Sequence, residues 1–229
     1  MHRSKKYTAV KDTLKGIQYS TLEEAISVVK KASYSKFTGS LEIIINYSIP
    51  SKFKNDVIRG SIVFPHQFGE SKKIAVLTNT EEQKKAKAAD IVGEEDLIKD
   101  IESGKINFDI LITTPDMMPK IAKLGKVLGP RGLMPNPKNE TVTTDVEKVI
   151  KSYKSGKVDY RINDQGAIKM TVGKLDQENS DLKNNLIELI KITDNETKKF
   201  GPNRYKSVYI CPTMGPSIKI DIAKVLKEI

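Results

Sequence analysis

The chain has 229 residues, 38% of them hydrophobic, and a formal net charge of +10, which allows one large or two ordinary domains and favours an acidic partner such as RNA, DNA or an anionic membrane. Its single cysteine, Cys211, excludes an intrachain disulfide and a thiolate-rich metal site, and its two histidines, His2 and His66, leave almost no material for a histidine metal site or a catalytic triad. No apolar run approaches the roughly 18 residues that a membrane helix needs, and the basic N-terminus lacks the apolar stretch of a secretory signal.

In chain order, TLEEAISVVKK (21–31) predicts a helix, with Thr21 and Glu24 spaced as a capping box. SLEIIINYSI (40–49) and RGSIVFP (59–65) are rich in β-branched residues and predict strands. The pattern then changes. KKIAVLTN (72–79) is a short apolar run typical of a buried parallel strand. A helix is predicted over 80–91 with Thr80 as N-cap, a small strand at Ile91 and Val92, and a helix over 94–104 that stops at Gly104. A second apolar strand over 108–116 ends at Pro115, and helices follow from 117 and over 144–156, the last with Thr144 as N-cap and Gly156 as stop. Such alternation implies a parallel sheet with helices packed on it.

Beyond Gly156 the pattern changes again. KVDYRIND (157–164) alternates, with Val158, Tyr160 and Ile162 on one face. AIKMTVG (167–173) follows across a turn, so the two are expected to pair antiparallel. A helix is predicted over 180–192, and KSVYICPTMGPSIKID (206–221) reads as two short strands about a turn. The apolar neighbours Val208, Tyr209 and Ile210 predict that Cys211 is a strand-buried thiol. His66 reads as a loop residue after Pro65.

Charge divides the chain in the same way. Residues 67–156 hold 15 Lys and Arg against 14 Asp and Glu, whereas the remainder holds 24 against 15. The fold class expected is therefore an α+β discontinuous domain, an antiparallel sheet with helices, built from 1–66 plus 157–229 and carrying the basic excess. A near-neutral α/β Rossmann-like parallel-sheet domain, 67–156, is inserted in it. Gly69 and Gly156 stand near the two crossings, as hinge candidates or as ordinary turn glycines.

Two loops stand out. LGKVLGPRGLMPNPK (124–138) holds three glycines and three prolines and no carboxylate. Its glycine spacing fits neither a Walker phosphate loop nor a dinucleotide fingerprint. Lys123, Lys126, Arg131 and Lys138 are positioned for phosphate, with Leu133 and Met134 as apolar contacts; the structural alternative is a rigid capping loop with solvated lysines. In CPTMGPS (211–217), Thr213 and Ser217 supply hydroxyls for phosphate or a ribose 2′-OH, Met214 an adaptable apolar surface, and Gly215 room for a ligand backbone. In SKFTGSLE (35–42), Lys36 suits a phosphate and Phe37 either a stacked base or the core.

These stretches, with VIRGSIVFPH, FDILITTPDMMPKIAKLGKVLGPRG, SGKVDYRIND, GAIKMTVGK and KSVYICPTMGPSIKI, resemble in order the ribosomal protein L-one family over essentially the whole chain. The resemblance implies a non-catalytic, two-domain protein of the mobile stalk of the large ribosomal subunit. The basic domain would bind large-subunit ribosomal RNA through Lys36, Phe37, Ser40, Glu42, Ser207, Thr213, Met214, Gly215 and Ser217. Lys123, Lys126, Arg131 and Lys138 would give a secondary RNA or interdomain contact. The resemblance also implies contact with exit-site tRNA during release and repression of its own messenger RNA. It implies no cofactor or metal, no membrane, a monomer when free, and a bacterial cytoplasmic ribosome or an organellar one. An RNA-binding repressor acting mainly off the ribosome is the alternative. Ser40 stands where a threonine is common and keeps a hydroxyl, whereas Cys211 and Pro212 replace expected threonines.

Overall fold

The computed structural model describes residues 4–14, 21–53, 58–69, 72–79, 88–163 and 165–228. The chain opens with α1 (Lys5–Thr13), α2 (Leu22–Ala32), β1 (Ser40–Tyr47) and β2 (Arg59–Val63). It continues through β3 (Ile74–Leu77), β4 (Ile91–Gly93), α3 (Glu95–Glu102), β5 (Ile110–Thr113), α4 (Met118–Ala122), α5 (Gly125–Leu128) and α6 (Val146–Lys154). It ends with β6 (Lys157–Arg161), β7 (Ala167–Lys174), α7 (Asn179–Thr197), β8 (Tyr205–Pro212), β9 (Ile218–Ile220) and α8 (Ile222–Glu228). Two compact units result, one of Met1–Gly69 with Tyr160–Ile229 and one of Glu70–Asp159.

The first unit is built on an antiparallel sheet in the order β7-β1-β8-β9. Strand β1 alternates strictly, burying Leu41, Ile43, Ile45 and Tyr47. Its neighbours bring matching inward rows, Ile168, Met170 and Val172 from β7 and Val208 and Ile210 from β8. Against these rows lie α2, through Leu22, Ala25, Ile26, Val29 and Ala32, and α7, through Leu182, Leu186, Leu189 and Ile190. The i, i+3, i+4, i+7 spacing of the α2 set makes its apolar stripe. Thr21 caps α2 by accepting a hydrogen bond from the Glu24 amide at 3.3 Å, and Glu23 and Glu24 meet the positive end of the helix. Asn185 on α7 is fully buried yet satisfied: it accepts from the His66 amide (3.0 Å) and donates to the carbonyls of His66 (2.8 Å) and Val172 (2.9 Å).

The second unit is built on a parallel sheet, β4-β3-β5. All four residues of β3 are buried because helices cover both of its faces. Ala75 and Leu77 pack with Leu97 and Ile101 of α3 and with Ile121 and Leu128 of α4 and α5, whereas Ile74 and Val76 pack with Val149, Ile150 and Tyr153 of α6. The fold class is thus the one the patterning predicted: an antiparallel sheet with helices and a separate parallel sheet.

Several local expectations are corrected. Strands β6 and β7 do not pair as a hairpin: β6 pairs with β2 and β7 with β1, although the Asn163 amide still bonds the Ala167 carbonyl across the turn (3.0 Å). The buried row of β1 needs a long inward-alternating partner, and β7 supplies it. The N-cap of α6 is Asp145, not Thr144, and Thr143 bonds its amide at 3.0 Å. Helix α7 runs from 179 to 197, one residue longer at its start and five longer at its end than the expected 180–192. Most of the helix expected over 80–91 lies outside the described residues, and 88–90 form a turn. Cys211 is only half-buried, because it lies on the outward row of β8, opposite Glu42; partial burial and the Glu42 carboxylate push its thiol pKa up.

Within the second unit, an ion pair ties the end of the 124–138 loop to the root of β6. Glu140 has a left-handed backbone, φ 61°, the one non-glycine among the described residues to do so. Its carboxylate lies 2.5 Å from the Lys157 ammonium, whose side chain is only 4% exposed. Lys157 also lies over the Tyr153 ring, whose hydroxyl donates to Asp159 at 3.0 Å. A buried ammonium held by one carboxylate depends strongly on that partner.

Two predictions follow from this packing. Gly166 has φ +81°, and a Cβ there would lie 2.6 Å from the Tyr47 carbonyl oxygen. Gly166→Ala is expected to cost about 1–3 kcal/mol in urea unfolding; an unchanged midpoint would show that the turn relaxes freely. The hydrogen bond and charge of Lys157 hold the Glu140 carboxyl below its ordinary value. Its stabilising effect is therefore complete above the unfolded value of about 4.3 and is lost as pH falls through the lower folded value. The stability gap between the wild type and Glu140→Gln is expected to be constant near neutrality and to close on acidification; a gap that does not narrow would remove the ion pair as its cause.

Candidate nucleic-acid interface

The residues expected to contact RNA gather on the first unit because β1 is flanked by β7 and β8. At one end of the sheet Leu41 pairs with Pro212, which brings the segment before β1 beside the turn after β8. The Thr213 amide donates to the Ser40 carbonyl at 3.0 Å. The Thr213 hydroxyl lies 3.2 Å from that same carbonyl and 2.9 Å from Glu42 Oε1. With its proton directed to these acceptors, the hydroxyl keeps lone-pair capacity for an incoming donor such as a ribose 2′-OH. Glu42 is 14% exposed, and its second oxygen lies 3.4 Å from the Lys169 ammonium.

Around this junction, Lys36 and Ser217 are exposed, and Phe37 and Met214 are 63% and 48% exposed. The core alternative for Phe37 is thereby removed. The Ser35 hydroxyl donates to the Phe37 carbonyl at 2.9 Å and shapes the bend that presents the ring. An exposed ring and an exposed thioether at one end of a sheet, beside Lys36, offer stacking and van der Waals surface next to an exposed positive charge.

Ser207 is not part of this junction. It lies on the outward row of β8, on the same face of the sheet as Glu42 but near the other end of β1, opposite Asn46, whose amide donates to its hydroxyl at 2.9 Å. Gly215 has a reason internal to the fold: a Cβ there would lie 2.4 Å from the Pro212 ring and 3.3 Å from the Ala32 carbonyl. The glycine lets the turn close against the end of α2, so its small size does not by itself mark a ligand.

In the second unit Lys123, Lys126, Arg131 and Lys138 are all exposed. Leu133 and Met134 are turned inward against the core cluster of α3, α4 and α5 and do not form an outward apolar surface. Gly132, at φ +71°, makes the turn that lets them do so. Gly69 and Gly156 both have positive φ, +86° and +82°, and Gly156 closes the C-terminal turn of α6 through its amide bond to Tyr153. Among the described residues no group of three or more His, Cys, Asp and Glu is placed to hold a metal ion, and no helix is long and apolar enough to cross a membrane.

Lys169 and Asn46 are the site neighbours that sequence reasoning did not place. Period-two alternation puts each on the outward row of its strand, but only the β1–β7 and β1–β8 registers bring them to Glu42 and Ser207.

Comparison with known proteins finds similarity over most of the chain. The family model described as Ribosomal protein L1p/L10e family matches residues 29–216. "Large ribosomal subunit protein uL1" of Prochlorococcus marinus (strain AS9601) is 43% identical over 222 residues, covering 96% of this chain and 94% of the relative. "Large ribosomal subunit protein uL1c" of Phaeodactylum tricornutum (strain CCAP 1055/1) is 43% identical over 211 residues, covering 91% and 92%. The uL1c of Cyanidium caldarium is 43% identical over 204 residues, covering 88% and 85%. On this breadth of match, the chain belongs to the Ribosomal protein L1p/L10e family, a family of ribosomal proteins rather than of enzymes.

Proposed function

We propose that this chain is a structural protein of the large ribosomal subunit that binds large-subunit ribosomal RNA at the mobile stalk. The binding surface comprises Lys36, Phe37, Ser40, Glu42, Thr213, Met214, Gly215 and Ser217, with Ser207 further along the same face. The observation that carries this reading is the union of the chain's two ends in one sheet, which brings residues 36–42 against the 213–217 turn. Charge supports it: the first unit holds 23 Lys and Arg against 14 Asp and Glu, and the second 16 against 15. Phosphate contacts then provide affinity, while the Thr213 hydroxyl, the Phe37 ring and the adaptable Met214 thioether respond to RNA shape.

Further parts of the reading are the release of exit-site tRNA and repression of the protein's own messenger RNA through a mimic of the ribosomal site. Lys123, Lys126, Arg131 and Lys138 serve as a secondary RNA contact, and Gly69 and Gly156 serve as hinges between the units. The setting is the ribosome of a bacterial cytoplasm or of an organelle, in accord with the organisms of the relatives.

Titration of the stalk segment of large-subunit ribosomal RNA and of an unrelated duplex, across a salt series, tests the reading. The stalk transcript is expected to bind more tightly at every salt concentration; equal affinities would end the claim of specific recognition. Thr213→Val and Met214→Ala are each expected to weaken stalk binding by about 1–3 kcal/mol. Full affinity in both variants would move the RNA surface elsewhere.

A further inference from the structure

The outward face beside Thr213 owes its arrangement to an irregularity in β7. Ser40 and Leu41 of β1 stand opposite Lys174 and Gly173, but Glu42 stands opposite Thr171, so Val172 has no opposite residue on β1. This extra residue is a β-bulge, and it leaves two successive residues, Val172 and Gly173, buried. Helix α7 holds the bulge in place. The Val172 carbonyl accepts from the buried Asn185 amide at 2.9 Å, and Gly173 lies against Leu182, where a Cβ would come within 2.4 Å of the leucine side chain. Without the bulge, the pairing of Ser40 with Lys174 would run on to pair Ile45 with Lys169 and turn Lys169 toward the core. With it, Lys169 stands opposite Ile44, one step from Glu42 on the outward face.

There the Lys169 ammonium lies 3.4 Å from Glu42 Oε2, and the Thr213 hydroxyl lies 2.9 Å from Glu42 Oε1. One carboxylate is thus held at both oxygens, from β7 on one side and from the turn after β8 on the other. The acid is sheltered, at 14% exposure, while its cation, at 69%, reaches water. Cys211, opposite Glu42 on β8, reports the same grouping: after burial, the Glu42 carboxylate raises its thiol pKa, and the Lys169 ammonium opposes the rise. Left without its cation, the Glu42 carboxylate would repel RNA phosphates and would be free to turn away from Thr213.

We propose that Lys169 is a positioning residue for RNA recognition: set beside Glu42 by the β7 bulge, it cancels that acid's charge and fixes the carboxylate on the Thr213 hydroxyl, which then meets a ribose 2′-OH in one orientation. Lys169 acts through Glu42 and Thr213, not as a separate phosphate contact. The inference rests on the reading of the first unit as an RNA-binding unit, and it deepens that reading by naming what orients the Thr213 hydroxyl.

The test is a double-mutant cycle of Lys169→Met and Glu42→Gln, with Lys169→Arg as the conservative variant, read as affinity for the stalk transcript and for an unrelated RNA duplex. Lys169→Met is expected to weaken stalk binding about tenfold when Glu42 is present and less than about threefold in the Glu42→Gln background, because residues that act together do not add. Its loss should fall more on the stalk transcript than on the duplex, and Lys169→Arg should keep both affinities. In the free protein, alkylation of Cys211 at a fixed, mildly alkaline pH should slow in Lys169→Met and quicken in Glu42→Gln, since the thiolate is the reacting form. A wild type that does not prefer the stalk transcript overturns the proposed function and this inference with it. A wild type that does prefer it, with Lys169→Met either harmless or equally costly in both backgrounds and on both RNAs, overturns this inference alone.

Discussion

The first unit depends on one constraint: β1 must be sheathed on both edges by strands from the far end of the chain. Its inward row, Leu41, Ile43, Ile45 and Tyr47, is buried only when β7 and β8 lie on either side. Both strands follow the second unit in the chain, β7 ending at Lys174 and β8 at Pro212, so the second unit forms a long closed loop between β1 and its partners. The entropic cost of such closure grows only slowly with length, and an insert that folds on its own core keeps the ends of the loop close together. From this pairing come both the core beneath α2 and α7 and the meeting of residues 36–42 with the 213–217 turn.

The polar groups at this junction have a double role. Thr213 bonds both the Ser40 carbonyl and the Glu42 carboxylate, so it locks the turn to the strand before any ligand arrives. A surface ordered in advance loses less entropy on binding. Glu42 is an acid on a face proposed to meet phosphates, and its place is explained by what it holds: the Thr213 hydroxyl on one oxygen and the Lys169 ammonium on the other. Removing it would free two side chains as well as one charge.

The two units also differ in how they meet the demand that buried polar groups find partners. In the first, Asn185 satisfies two carbonyls and an amide from separate segments. In the second, a buried ammonium is neutralised by Glu140, the single left-handed non-glycine residue described, so the end of the glycine- and proline-rich loop is fastened by charge. That loop is rigid and basic on its outer side and apolar within, where Leu133 and Met134 complete the core.

Much of this was determined by the sequence alone. β-branched runs marked β1 and β2, alternation with period two marked β6, short apolar runs marked β3 and β5, and Thr21 and Gly104 marked helix ends. These features are local, set by backbone sterics, side-chain periodicity and caps within a few residues. The ordered run of motifs carried the family. Tertiary structure alone decided that β6 joins β2 and β7 joins β1, that Cys211 lies on the half-exposed row, that Gly215 is small to clear Pro212 and Ala32, and that Lys169 and Asn46 stand beside Glu42 and Ser207. Apart from the local Gly215–Pro212 contact, each of these depends on contacts between residues more than a hundred positions apart, and a one-residue slip in strand register, invisible in composition or period, would turn the strand side chains to the opposite face.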